Sequence, residues 1–209
     1  MVETVFHAFI TFFVIVDPIG IGPIFVSLTL GENDAYRRRM AFRGTVIATV
    51  VLFAFAFVGE YLFKALGITL AAFSIAGGVL LFLLAIDMVL ARRTGLRSTT
   101  LSEDREAGHK EDISVFPLAI PLIAGPGALT SVLLLMARSE HEPLLQAAIL
   151  GVLLVVMVLT LVFLIAATYV MKYLGVTGVN VVSRVLGIIL AALAVQLIVD
   201  GIRESGLLA

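Results

Sequence analysis

The sequence contains no cysteine and no tryptophan, and only 14% of its 209 residues are charged. Without cysteine, the chain forms no disulfide and offers no thiolate to a metal or a substrate. Soluble domains are normally about a quarter charged, so this shortage of charge excludes an ordinary soluble fold. The formal net charge of −1 also argues against a nucleic-acid partner.

The hydrophobic residues make up 61% of the chain and are gathered into six long apolar stretches. A helix needs about 20 apolar residues to cross roughly 30 Å of hydrocarbon. The first stretch has no basic region before it and no cleavage site after it, so we expect it to be retained. We therefore predict an all-α integral membrane protein with six spans at 6–30, 41–63, 69–90, 115–136, 144–171 and 179–202.

Basic residues are concentrated in alternate links between these spans. The first, third and fifth links hold most of them, including the run Arg37, Arg38 and Arg39. Links on the cytoplasmic side of membrane proteins are enriched in Lys and Arg. We therefore expect a multi-pass membrane protein with both termini outside.

Two of the spans are interrupted by the same pattern, P-x-x-x-G-P, at residues 18–23 and 121–126. Proline lacks an N–H and clashes with the carbonyl four residues back, and glycine weakens a helix further. We therefore expect spans one and four to be broken there. Interrupted spans at matching places in two halves point to the binding site of a transporter. The alternative is that these residues only kink tightly packed spans.

A second similarity extends this duplication. Residues 62–69 resemble residues 170–177, and beyond them Ser74 aligns with Ser183 and Asp87 with Gln196. Each half has three spans, an odd number, so the second half enters the membrane from the opposite side. We predict two inverted three-helix repeats. Their ranges are 1–92 for the first repeat, 93–112 for a cytoplasmic linker and 113–209 for the second repeat.

The two breaks suggest a binding site made of backbone and small side chains. Half-helices restarting near Ile24 and Ala128 would present unpaired N–H groups and a positive dipole end to a carboxylate. Glycines would let a small ligand approach the backbone, and nearby hydroxyls would complete the contacts. The predicted substrate-binding residues are Asp17, Gly20, Gly22, Ser27, Gly125, Gly127, Thr130, Ser131 and Gln196.

Asp17 is the most informative residue of this set. An ionised carboxylate in the middle of a span is costly and usually marks a functional site. It would bind an ammonium group or carry a coupling proton; as a structural residue, it would cap the broken backbone beside Pro18. The three histidines lack metal-ligand spacing and no nucleophile motif is present, so we expect no metal, no cofactor and no enzyme activity.

Three stretches of the chain resemble the MarC family of bacterial and archaeal inner-membrane proteins. They are DPIGIGPIF at 17–25, GGVLLFLLA at 77–85 and PLAIPLIAGPGA at 117–128, and residues 184–196 also fit. The resemblance implies six spans with both termini outside. An archaeal member is described as a transporter of glycine and alanine, which implies a similar substrate here. Many members carry Asn where this chain has Ile21.

From these observations we expect a secondary transporter of small neutral amino acids that works by alternating access, with a proton or sodium ion as coupling ion. One alternative is an exporter of another metabolite or a drug, which needs a wider apolar cavity. Another is a non-transporting membrane scaffold or regulator, packed through Gly77, Gly78 and Gly187. The expected partners are the small-molecule substrate and the bilayer, and a homo-oligomer stays open.

Overall fold

The computed structural model describes residues 2–90, 112–139 and 142–206 of the chain. Their regular elements are all helical, which confirms the predicted all-α class. One irregular segment, Ser114–Ile123, interrupts the series. The helices are α1 Val2–Val16, α2 Pro18–Leu28, α3 Asp34–Leu66, α4 Leu70–Val89, α5 Pro126–Arg138, α6 Pro143–Ile165 and α7 Ala167–Glu204.

These elements are long and apolar enough to cross a membrane several times. Five stretches qualify directly, with α1 and α2 together counted as one stretch, Val2–Leu28. A sixth span results if the irregular segment and α5, which are bent by 58°, form one crossing. The chain is therefore a multi-pass membrane protein with five or six spans. Residues 93–111 of the predicted linker lie outside the described residues.

The boundary between the fifth and sixth spans falls close to the predicted one. The helical hydrogen bonds continue through Ala166, whose N–H donates to Val162 O and whose carbonyl accepts from Val170 N, both at 2.9 Å. The helical conformation is instead interrupted inside α7 at Gly175, with φ 64° and ψ 176°. Gly67, between α3 and α4, has a similar φ of 66°. Glycine adopts this left-handed backbone readily because it has no Cβ.

The most extensive helix pair in the described structure is α4 against α7. Glycines allow the two backbones to approach closely. A Cβ on Gly78 would lie 2.8 Å from the carbonyl oxygen of Ala194, and a Cβ on Gly187 would lie 2.9 Å from Cβ of Met88. Within a bilayer, where lipid is as apolar as the helices, such close packing is a main source of helix association.

The other large contacts also join residues 2–90 to residues 112–206. Helix α3 packs on the irregular segment, α1 on α6, α2 on α7 and α5 on α4. Contacts between helices of the same half are weak by comparison. The core, which includes Phe12, Leu52, Leu81, Leu118 and Leu153, is therefore shared between the two halves.

Candidate functional site: the two helix breaks

The first break consists of a single residue, Asp17, between α1 and α2. Asp17 is 2% exposed, and among the described residues it is the one non-glycine with a positive φ, 49°. Its Oδ1 accepts a 3.0 Å hydrogen bond from the N–H of Gly20 and so caps the start of α2. Aspartate tolerates this left-handed conformation better than most residues because its short side chain bonds locally. The structural role that we considered for Asp17 is therefore present in the structure.

The helix restarts earlier than we predicted. Residues 18–23 are helical, and α2 begins at Pro18 rather than near Ile24. Proline at the first helical position removes an N–H that has no acceptor there in any case, and its fixed φ suits a helix. Pro23 lies inside α2 and removes one hydrogen bond without ending the helix. The first P-x-x-x-G-P motif therefore follows a break and does not itself form one.

The second break is longer and has a different backbone. Within Ser114–Ile123, Phe116 and Ile120 are extended, and the peptide bonds before Pro117 and Pro121 are cis. Helix α5 then begins at Pro126, two residues before the predicted restart at Ala128. Its first-turn N–H groups have no acceptor within the helix. The break leaves these donors at the start of α5.

The structure brings the two breaks next to each other. Ile15, at the end of α1, lies 3.4 Å from the position that a Cβ on Gly127 would occupy. Both residues line a cavity of about 10 Å³ at the start of α5. That is about the space that one water molecule needs. The remaining lining residues are Leu80, Leu84, Leu122, Ile123, Gly125, Pro126 and Ala128. This conformation is therefore closed around the breaks.

The predicted glycines occupy crowded positions at the breaks. A Cβ on Gly20 would clash with the Asp17 carboxylate, and one on Gly125 would lie 2.6 Å from Pro121 O. A Cβ on Gly127 would lie 2.8 Å from Leu81. Gly22 is buried but less crowded, since the atom nearest to its Cβ position beyond its own helix backbone, Cβ of Ala167, is 3.9 Å away. A Cβ is therefore excluded at Gly125 by backbone and at Gly20 by the capping carboxylate, whereas at Gly127 the neighbouring Leu81 side chain would have to move.

The predicted polar residues separate into two groups. Thr130 and Ser131 are buried on α5, where the Thr130 methyl group packs against Gly77 of α4. Ser27 is exposed on α2. Gln196 is exposed as well, and its side-chain amide donates a 2.7 Å hydrogen bond to Asp200 on its own helix. The structure therefore gives Ser27 and Gln196 surroundings that do not fit their predicted place in the site.

Sequence reasoning missed Ser183, which α7 brings to the first break. Its Oγ lies 2.8 Å from the position that a Cβ on Gly20 would take, close to the Asp17 carboxylate. Its alignment with Ser74 was the only signal in the sequence, and that alignment does not indicate which helix Ser183 faces. The first break thus combines an acid, a hydroxyl and a glycine.

Polar side chains fix the far ends of the two half-helices. Arg37 donates from Nε and Nη2 to Thr29 O, at 3.3 and 3.2 Å, and so caps α2. Gln146 Nε2 donates to Met136 O at 3.4 Å, near the end of α5. Arg138, also at that end, forms ion pairs with Asp200 and Glu204 of α7 at 3.7 and 3.4 Å. Both half-helices are therefore held at the ends remote from the breaks.

A further polar cluster precedes the irregular segment. Asp112 Oδ1 accepts hydrogen bonds from the N–H and the hydroxyl of Ser114, at 2.9 and 2.5 Å, and Oδ2 pairs with Arg43 at 2.9 Å. The hydrogen bonds from Ser114, first from its hydroxyl and then from its amide, lower the pKa of Asp112, and Arg43 adds to this effect. Asp112 is therefore ionised at neutral pH and fixes the entry of the chain into the segment.

Comparison with known proteins agrees with this architecture. A model of the MarC family integral membrane proteins matches residues 2–205. The UPF0056 membrane protein YvbG of Bacillus subtilis is 35% identical over 203 residues, which cover 97% of this chain and 96% of the relative. A UPF0056 membrane protein of Methanocaldococcus jannaschii is 37% identical over 199 residues, covering 95% of each chain.

A relative from Escherichia coli, the UPF0056 membrane protein YhcE, is 32% identical over 198 residues, covering 95% of this chain and 91% of the relative. No solved structure gives a significant match. The names of these relatives specify a membrane location and no substrate.

Proposed function

The chain belongs to the MarC family of integral membrane proteins, and on that premise we propose that it is a secondary transporter of small neutral amino acids such as glycine and alanine. The observation that carries the proposal is the meeting of two interrupted spans, with Ile15 of the first in contact with Gly127 of the second. Interrupted spans that meet inside a membrane protein expose backbone groups to a ligand, which uninterrupted spans do not. The substrate class rests on family resemblance.

The chemistry of the breaks suits a zwitterion. The start of α5 offers first-turn N–H donors and the positive end of a helix dipole, both of which favour a carboxylate. The Asp17 carboxylate, with Ser183 beside it, suits an ammonium group or a coupling proton. The crowding around these glycines leaves room only for a substrate with a small side chain. This favours glycine and alanine over larger amino acids.

An inverted repeat would explain why two such breaks exist. Pro18 and Pro126 each occupy the first position of a helix, and Gly67 and Gly175 each have a positive φ. The number of residues between the two prolines equals the number between the two glycines. These two residue pairs support a repeat with this separation between equivalent positions. The two P-x-x-x-G-P motifs are separated by a different number of residues. In this proposal the protein lies in the inner membrane with both termini outside.

The first test is uptake and counterflow of labelled glycine, alanine and threonine in proteoliposomes containing the wild type or Asp17→Asn. Asparagine also caps helices and tolerates a positive φ, so the variant keeps the backbone and removes only the charge. We expect saturable flux in the wild type and loss of its response to a pH gradient in Asp17→Asn.

Asp34→Asn, at a side chain that is 89% exposed, is the matched control and should transport as the wild type does. Unchanged coupling in Asp17→Asn would restrict Asp17 to its capping role. If folded wild-type protein carries none of the three amino acids, the proposed substrate class is wrong, and a scaffold role or another substrate is favoured.

A further inference from the structure

Some buried hydroxyls in the described structure lack the partner that a helix normally provides. Thr160 and Thr29 each donate at 2.8 Å to the carbonyl four residues back. A serine or threonine in a helix can satisfy its hydroxyl in this way. Thr11 and Ser131 do not, although they are only 7% and 2% exposed, and their oxygens have no hydrogen-bond partner among the described residues.

Two more such hydroxyls, Thr45 and Ser74, lie on the unbroken helices α3 and α4. Thr11 and Ser131 differ from them in lying on the two interrupted spans, Thr11 before the first break and Ser131 after the second. Burying a hydroxyl without a partner is unfavourable by about 1–3 kcal/mol. A ligand or water that pairs with both would remove this penalty.

The packing of α1 against α5 sets these two hydroxyls at the same level. The start of α1 and the start of α6 share an apolar groove, lined by Val2, Val5 and Leu144 among others, so α1 begins near the end of α5. The two helices are therefore antiparallel. Ile15 contacts Gly127 where the two helices meet. Thr11 lies one turn before Ile15 in α1, and Ser131 lies one turn after Gly127 in α5. Residues four apart lie on the same face of a helix, so Thr11 shares the face of Ile15 and Ser131 shares the face of Gly127.

We propose that Thr11 and Ser131 form a hydroxyl pair that binds the carboxylate of the transported substrate between the two broken spans. Hydroxyls donate hydrogen bonds. Helical side chains lean toward the N-terminus of their own helix, so Ser131 leans over the first turn of α5, whereas Thr11, on the antiparallel helix, leans away from that turn. That turn supplies further N–H donors and a positive dipole end. All these groups favour an anion. Ile15, Leu81 and Leu84 close over Gly127 in this conformation, so the carboxylate enters when they move.

This inference rests on the proposed function, and transport gives its first test. Thr11→Val keeps the shape of the side chain and removes the donor, while Thr11→Ser keeps the donor. We expect Thr11→Val to raise KM for alanine in proteoliposomes roughly tenfold to a hundredfold, the usual effect of losing a hydrogen bond to a charged group. Thr11→Ser should stay close to the wild type. Thr160→Val, which alters a buried hydroxyl paired within its own helix, should leave KM unchanged.

Thiol labelling tests the site without requiring transport, because the chain has no cysteine of its own. Thr11→Cys, Ser131→Cys and the control Thr160→Cys are each exposed to a charged methanethiosulfonate reagent in proteoliposomes. We expect labelling at the first two positions and not at the control. Alanine and propionate, which carry a carboxylate, should slow the labelling, whereas ethylamine should not.

The outcomes separate the two proposals. Absence of wild-type transport, with labelling slowed by propionate, would refute amino acid transport and keep the carboxylate site. Transport with neither position labelled, or with ethylamine protecting as well as propionate, would refute the hydroxyl pair and keep the transporter. If Thr11→Val fails to fold, the substrate protection of Ser131→Cys decides the question alone.

Discussion

At the scale of single residues, Asp17 makes a break inside a membrane span without leaving its own backbone unpaired. Its N–H donates to Phe13 O at 3.0 Å, and its carbonyl accepts from Ile21 N at 3.1 Å. The carboxylate then supplies the acceptor for Gly20 that a continuous helix would have supplied. In hydrocarbon, where no water can take that place, this local pairing lets the chain turn at one residue.

Asp112 gives a prediction about pH. Its pKa lies below the usual 3.8 in the folded protein, so its ionised form favours folding. This contribution is fully present above the unfolded pKa and is lost as the pH falls through the lower folded pKa. We therefore expect Tm in detergent to fall more between about pH 5 and pH 3 for the wild type than for Asp112→Asn. Equal pH profiles would show that the ionisation of Asp112 contributes nothing to stability.

Sequence patterns located the region of the two helix breaks at this scale. Proline and glycine have strong backbone effects, so Asp17, Gly20, Gly125 and Gly127 could be placed near the breaks from the sequence. Side-chain placement could not be predicted in the same way. A membrane helix is apolar on every face, so periodicity does not show whether Ser27 or Ser131 points inward. Nor could it show that Ser183 reaches Gly20, because that contact depends on how α7 packs on α2.

At the scale of elements, the same six-residue pattern takes two different conformations. In the first span, Asp17 caps a helix that begins with the motif, so residues 18–23 are helical. In the fourth span the motif follows the extended residue Ile120, which has no carboxylate, and helix starts only at its last proline. A motif of prolines and glycines therefore predicts that a break lies nearby, and the preceding residue decides where it lies.

The α4–α7 pair leads to a prediction about stability. A Cβ on Gly78 would meet the backbone oxygen of Ala194 at 2.8 Å, and backbone cannot move aside as a side chain can. We expect Gly78→Ala to destabilise the protein by about 1–3 kcal/mol, the usual range for overpacking. Thermal unfolding in detergent measures the change.

Gly151 is the matched control for this substitution. It lies on α6, is exposed, and among the described residues has no atom beyond its own helix backbone within 4 Å of its Cβ position. Alanine is a better helix former than glycine, so Gly151→Ala should keep or slightly raise Tm. A similar loss of stability in both variants would show that α4–α7 packing is not the cause, since helix propensity favours alanine at both positions.

At the scale of the whole molecule, the packing constrains how any transport movement occurs. Helix α1 lies on α6, α3 on the irregular segment and α4 on α7, so each large contact joins the two halves. Rocking residues 2–90 as one body against residues 112–206 would disrupt all these contacts at once. In the proposed transporter, alternating access would therefore move a group of helices drawn from both halves.

The shared core also predicts how fragments behave. A chain cut between residues 90 and 112 loses none of the helix contacts described above. We expect each fragment expressed alone to be degraded or aggregated, because its main packing partners are on the other fragment. Coexpressed fragments should assemble and copurify through a tag on either one. Stable, folded material from residues 1–90 alone would contradict the shared core.

The sequence supported the number of spans and the membrane class but gave no information about which helices of the two halves pack together. Span prediction depends on local hydropathy, which each stretch of about 20 residues carries within itself. Which spans become neighbours depends on small residues distributed along helices, such as Gly78 and Gly187, and glycines occur on exposed surfaces too. Gly151 is an example.

The packing of first-half helices on second-half helices has a consequence during synthesis of the chain. A ribosome adds about 5–20 residues per second, so on the order of ten seconds pass between completion of α4 and completion of α7. Throughout that interval the glycine-bearing face of α4 has only lipid, the insertion machinery or another nascent chain beside it. The newly made first half is therefore a substrate for membrane proteases and mispairing until translation supplies its partner.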